Sequence, residues 1–178
     1  MVNNQGREGV FMREIIVVPY DDKWPEMFEA ESLLIRTLLG GVVKRVHHIG
    51  STSVPGLSAK PVIDILLEVS DVNELDTYNS AMVRGGYVAC GENGITGRRY
   101  FTKGGDQRSH HVHAFAVGDM QVSRYLAFRD YLKKNIDIAG QYAEVKHLAA
   151  FLSKNNAHHY SELKVGFIEH HLRRVLDV

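Results

Sequence analysis

The spacing of apolar and polar positions divides this chain into a first part of strands and short helices and a last third that is helical. Trp24, Phe28, Leu34, Ile35 and Leu38 recur at helical spacing, which predicts a helix with Trp24 and Phe28 in the core. It opens at Asp21-Asp22-Lys23-Trp24-Pro25, with a carboxylate cap and proline in the first turn, and stops at Gly40-Gly41. A short strand or extended arm over residues 13–18 precedes it. Two largely apolar runs follow, residues 42–49 and 62–69, each of buried-strand length. Between them lie the polar turn Gly50-Ser51-Thr52-Ser53 and a spacer punctuated by Pro55-Gly56 and Pro61, so any helix after the turn is short. Asp71 caps a predicted helix reaching about Arg84, closed by Gly85-Gly86. Residues 87–90 predict a strand and 92–97 a glycine-rich loop. Residues 98–103 and 110–117 predict two strands joined by Gly104-Gly105-Asp106-Gln107. After Gly118 the period is helical. Asp119 caps a helix carrying Val122, Tyr125, Leu126, Arg129 and Leu132; Asp137 starts a second with Tyr142, Val145, Leu148 and Leu152; a third runs from about Ser161 with Leu163, Phe167, Ile168, Leu172 and Val175. The expected fold is α/β (α+β): a mixed β-sheet containing 42–49, 62–69 and 110–117, helices packed on it, and a C-terminal helical lobe. The cleft between sheet and helices is the expected site.

Composition narrows the function classes. The 178 residues suffice for one domain with a real core. Lys plus Arg and Asp plus Glu both number 21, for a formal net charge of zero. That balance speaks against a dedicated nucleic-acid coat, so no nucleic-acid partner is expected. A lone cysteine, Cys90, forbids an internal disulfide and fits the cytoplasm; it reads as a small residue near a strand end. No apolar run approaches the ~20 residues that span a bilayer. Residues 1–11 are polar and lack a signal-peptide core. The expected organisation is therefore a flexible tail at 1–12 and a single domain over 13–178. Nine of the ten histidines cluster, at 47–48, 110–111–113, 158–159 and 170–171; the last two clusters read as solvated helix surface or a helix start.

The strand 62–69 carries an acid, Asp64, in its apolar run. A carboxylate there is costly unless paired or bound to a metal. Strand alternation puts Asp64, Leu66 and Glu68 on one face. Two readings stay open for Asp64: it holds a divalent metal or orients a hydroxyl, or it is satisfied by backbone N–H groups or a lysine such as Lys60. Gly50 followed by Ser51 and Ser53 lets backbone N–H groups and hydroxyls approach a phosphate. His111 and His113, at i and i+2 on a strand, can both reach one metal, while His110 faces the opposite side. Arg98, Arg99, Lys103 and Arg108 would suit a triphosphate if they face the cleft, and otherwise form a solvated sheet edge. Tyr142 to Lys146 and Tyr160 to Lys164 each place a tyrosine and a lysine on one helix face.

The string HIGSTSVPGL-x-AKP-x-IDI, beginning at His48, resembles the signature of the GrpB family, which is similar to the nucleotidyltransferase-fold superfamily. The resemblance covers nearly the whole chain, from Val18-Pro19-Tyr20 to the last helix. That superfamily pattern is a Gly-Ser turn, a spacer, then Asp-x-Asp or Asp-x-Glu on a strand. Gly50, Ser51 and Asp64 match it; the position of the second acid is Leu66. The resemblance implies a metal-dependent nucleotidyltransferase acting on a nucleotide and a small-molecule or protein acceptor. Asp64 and His113 would be catalytic; Gly50, Ser51, Ser53, Lys60 and Arg99 would hold phosphate. Asp64, His111, His113 and Glu68 would hold a divalent metal, Mg, Mn or Zn, with Glu92 a further candidate to complete the site. Leu66 favours the alternative, a non-catalytic nucleotide- or phosphometabolite-binding accessory module. The family also occurs fused to dephospho-coenzyme A kinase, which links that alternative to coenzyme A synthesis.

Overall fold

Among the described residues of the computed structural model, 14–176, five strands form one mixed sheet. The tail expected at 1–12 lies outside the described residues. The strands are β1 (Val43–Ile49), β2 (Ile63–Val69), β3 (Tyr87–Ala89), β4 (Arg99–Lys103) and β5 (His110–Ala116), in the spatial order β1-β2-β5-β4-β3. β2 is central: it runs antiparallel to β1 and parallel to β5. The parallel pairing forces a long crossover, supplied by α2 (Val72–Asp76), α3 (Asn79–Arg84), β3 and β4.

Alternation along β2 assigns the two faces of the sheet. Ile63, Ile65, Leu67 and Val69 point to one side, where α1 (Trp24–Leu39) buries Trp24, Phe28, Ile35 and Leu39 against them. Asp64, Leu66 and Glu68 point to the other. There α4 (Met120–Lys134) sets Val122 against Ile49, Leu66 and Phe115. Every β2 side chain except Asp64 is buried. α5 (Ile136–Ser153) and α6 (Ala157–Val175) complete the C-terminal helices; Leu132, Tyr142, Phe167 and Ile168 pack there with Val54 and Leu57 of the spacer.

The mixed sheet, the central place of β2 and the three helices follow the pattern of the sequence. The helix expected from Asp71 to about Arg84 is instead two short ones. Tight i to i+3 bonds from Thr77 and Tyr78 N–H, with the Thr77 hydroxyl on the Glu74 carbonyl, break it. α6 starts four residues before Ser161 because Asn156 caps it, accepting the His159 N–H at 3.0 Å. His158 and His159 are exposed in its first turn, but His171 is buried, its ring 4.4 Å from that of Phe167. α5 buries Ala139, Tyr142, Lys146 and Ala149, leaving Leu148 and Leu152 exposed. No helix of the described residues is long and apolar enough to cross a membrane.

Candidate functional site

β1 ends at Ile49, directly opposite Asp64 on β2, and the chain must turn away without covering that carboxylate. Gly50 makes this possible. It sits at φ 68°, ψ −174°, a region occupied essentially by glycine alone. A Cβ at this position would lie 2.5 Å from Asp64 Oδ2. One tight helical turn, Ser51–Ser53, follows. The Ser53 hydroxyl and N–H both bond back to the Gly50 carbonyl, at 2.6 and 3.2 Å. Ser53 therefore closes the turn and is absent from the cavity wall, while Ser51 and Thr52 line it.

Parallel pairing brings His111 of β5 beside Asp64, and His113 follows on the same face. Asp64 Oδ1 accepts from His111 Nδ1 at 3.0 Å, with His113 Nε2 3.9 Å away. Burial works to raise the Asp64 carboxyl, but the His111 and His113 bonds outweigh it and hold the group well below the usual carboxylate range. Burial pushes the His113 imidazole down, toward its neutral form. His110 faces the other side, with Nε2 3.7 Å from Glu31 of α1.

The opposite wall is cationic. Lys146 of α5 is 2% exposed and donates its ammonium to the Ser58 carbonyl. Lys164 of α6 lies 4.0 Å and Lys60 4.8 Å from the centre of the Tyr160 ring. Burial and the neighbouring Lys164 lower Lys146 to about 7; burial and Lys60 lower Lys164 to about 8. Arg98 adds a fourth cation; it is buried, anchored to the Asn93 carbonyl at 2.6 Å, and 4.8 Å from the Tyr100 ring. The resulting chamber, about 410 Å³, has Asp64 at its floor and these four cations on its walls. A second chamber of about 510 Å³ adjoins it between α4 and α6; Ser51, Arg98, Tyr125 and Lys164 line both.

Other sequence-stated candidates lie elsewhere. Arg99 points to the far face, where Asp76 takes its Nε and Nη2 at 2.6 and 2.8 Å. Arg98 holds the position expected of it, one residue earlier in the alternation. Glu68 shares Asp64's face but is bound by His47 at 2.8 Å and Arg45 at 3.3 Å, four residues further along β2. Glu92 is exposed, one oxygen accepting the Gly97 N–H at 2.7 Å, and Lys103 pairs with Glu31 at 2.7 Å across the sheet. Tyr100 and Tyr125 line the chamber without having been singled out. Alternation from His113, whose β4 partner is Tyr100, was the available signal for the first of them.

Asp64, His111 and His113 offer one oxygen and two nitrogens, yet no group of three or more His, Cys, Asp or Glu among the described residues is gathered to hold a metal by itself. Leu66 is fully buried against Ile49 and Phe115, filling the place of a second carboxylate with core. A Mg ion asks for one or two protein carboxylates when a substrate's phosphates supply further ligands, and Asp64 is the carboxylate of this set.

A profile of the GrpB protein family matches residues 14–174. The UPF0157 protein YqkA of Bacillus subtilis (strain 168) is 40% identical over 157 residues, 88% of this chain but 46% of YqkA, so the chain spans about half of that relative. A dephospho-CoA kinase of Mycolicibacterium paratuberculosis is 26% identical over 186 residues, covering 90% of this chain and 46% of that protein. The crystal structure of conserved protein GrpB from Enterococcus faecalis superposes with a TM-score of 0.86 at 39% identity, over 91% of this chain and 98% of that one. The Cid1 poly(U) polymerase with MgGTP bound gives a TM-score of 0.53 at 16% identity, over 75% and 44%. That likeness establishes a nucleotidyltransferase-like fold.

Proposed function

The chain belongs to the GrpB family, and we propose that its first chamber binds a nucleoside polyphosphate with a divalent metal and transfers the nucleotidyl group to a second substrate. The observation that carries this reading is the single carboxylate, Asp64, facing Lys60, Arg98, Lys146 and Lys164 across one cavity. Buried like charges crowded together are costly unless an anion joins them. A polyphosphate is such an anion. Ser51 and Thr52 would flank the phosphates from the turn. A divalent ion shared by Asp64 and the phosphates would supply charge neutralisation at the transferring phosphorus. His111 fixes the Asp64 carboxylate. His113, neutral and beside it, is placed to accept the proton of an incoming hydroxyl or amine. The likeness to a polymerase with MgGTP bound supports the choice of a metal–nucleotide.

The competing reading, an accessory module that binds a phosphorylated metabolite without chemistry, is favoured by Leu66 and by the match within a dephospho-CoA kinase. A thermal-shift screen separates the two. It would test the four nucleoside triphosphates, coenzyme A and dephospho-coenzyme A, with and without Mg, Mn or Zn, followed by pyrophosphate release. Stabilisation by a triphosphate only when metal is present is expected, near 2.7 kcal/mol for ligand at about 100 times its Kd. Stabilisation by the coenzyme forms alone, independent of metal, would transfer the site to the accessory role.

A further inference from the structure

The second chamber divides from the first in its chemistry. Its walls carry Phe128 and Leu132 of α4, Tyr142 of α5, and Val165, Ile168 and Leu172 of α6. Arg98 and Lys164 stand at its junction with the first chamber; beyond them Arg124 pairs with Glu169 at 2.6 Å, and Arg129 pairs with Asp130 at 2.8 Å while donating to the His48 carbonyl at 3.1 Å. The first chamber, by contrast, gathers four cations against one acid. Phosphates therefore partition to the first chamber, and an ionic body entering the second would have to break an existing pair. Tyr100 and Tyr160 also line the first chamber, with Arg98 over the one ring and Lys60 and Lys164 over the other. The two spaces meet at Ser51, Arg98, Tyr125 and Lys164, beside Asp64.

We infer that the second chamber is the acceptor site, built for an uncharged, ring-bearing small molecule that presents a hydroxyl at the junction of the two chambers. This rests on the nucleotidyl-transfer reading of the first chamber. A volume of about 510 Å³ lies within the range of cavities that enclose small organic ligands. The ring at hand is Phe128; Tyr142, edge to face with it at 5.5 Å, is already stacked on Phe167 at 5.1 Å. In the step this implies, the acceptor oxygen bonds to the α-phosphorus as the bond from that phosphorus to the α–β bridging oxygen breaks. Pyrophosphate leaves, and the hydroxyl proton passes to the His113 imidazole, which lines the first chamber beside Asp64.

The test uses tryptophol, tyrosol and cyclohexylmethanol as probes, with indole-3-acetate as the charged control. Binding is followed by saturation-transfer NMR and titration calorimetry, with and without Mg and α,β-methylene ATP. At least one neutral probe is expected to bind wild-type protein, to remain bound when the nucleotide analogue is saturating, and to bind roughly tenfold or more tightly than indole-3-acetate. Ile168→Trp, or the half-exposed Val165→Trp if the first does not fold, is expected to weaken the probe by at least ~tenfold by filling the space. Nucleotide affinity in that variant should stay within about threefold. Displacement of the probe by the analogue would assign the second chamber to the nucleobase and overturn the inference. Nucleotide binding with no probe bound overturns the inference alone. Probe binding with no nucleotide binding, to wild type in any metal, overturns the reading of the first chamber and the acceptor role with it.

Discussion

Replacing Lys146 with methionine separates a functional lysine from a structural one, because the two roles move different measurements. Methionine keeps most of the side chain's length and volume. Lys146 is 2% exposed, and burial with its neighbour Lys164 lowers it from 10.5 to about 7. Holding an ammonium at that depth corresponds to on the order of 4–5 kcal/mol of destabilisation at neutral pH. Its removal leaves the Ser58 carbonyl without this donor, at about 1–3 kcal/mol. The net expectation is a more stable unliganded protein, by roughly 1–4 kcal/mol, or several degrees in Tm for a chain of this size. Nucleotide binding should move the other way. Loss of a charge-assisted hydrogen bond of about 1.5–3 kcal/mol weakens Mg–nucleotide by roughly ten- to 150-fold. Differential scanning fluorimetry gives the first quantity and titration calorimetry the second. A variant that melts several degrees lower yet binds nucleotide as wild type would refute the reasoning: Lys146 would then be a strut for the Ser58 loop.

The same lysines set a pH dependence. Lys146 and Lys164 are lowered in the folded chain, so from about pH 7 to pH 10 the unfolded chain binds more protons and their contribution makes unliganded stability rise with pH. Nucleotide affinity should instead fall between pH 7 and 9, with proton uptake on binding; flat affinity with no buffer-dependent heat would count against the cationic wall. Gly50→Ala places a methyl at the Asp64 carboxylate in a backbone region disfavoured by about 1–3 kcal/mol. Lower Tm with lost nucleotide response is expected, and an unchanged response would remove the turn from the site. Arg98→Ala should cost nucleotide affinity, whereas Arg99→Ala, which breaks the Asp76 pair, should leave affinity intact and lower stability by no more than about 1 kcal/mol. Arg99→Ala also removes longer bonds to the Arg98 carbonyl and Asn73, at 3.2 and 3.4 Å, besides the Asp76 pair; calorimetry on both variants decides between neighbouring arginines.

Much of the fold was legible because β2 is an apolar run interrupted only by Asp64 and Glu68, and Asp71, Asp119 and the Gly pairs punctuate the elements in the expected way. Alternation alone put Asp64 and Leu66 on one face and separated His110 from His111 and His113. The arginine choice was not legible: Arg98 and Arg99 are adjacent, and which faces the cavity depends on where β4 enters the sheet. Glu68 shares the parity of Asp64, but cross-strand neighbours on β1, Arg45 and His47, claim it, and pairing register is not written in one strand. α5 is apolar on several sides, with Ala139, Tyr142, Leu148, Ala149, Phe151 and Leu152. A 3.6-residue period therefore finds no unique stripe in it. The buried face is chosen by Lys146 reaching the Ser58 carbonyl and by Tyr142 packing on Phe128, contacts made across the tertiary structure.

The central claim is that Asp64 and the lysine wall together hold a metal–nucleotide. Its most direct test is anomalous diffraction from crystals grown with Mn and a non-hydrolysable nucleoside triphosphate. The expected map places one Mn within bonding distance of an Asp64 carboxylate oxygen and of phosphate oxygens, with the phosphate chain against Lys146 and Lys164 and the Gly50 turn. Nucleotide bound with its phosphates away from those lysines, or Mn at His111 and His113 without Asp64, would contradict it.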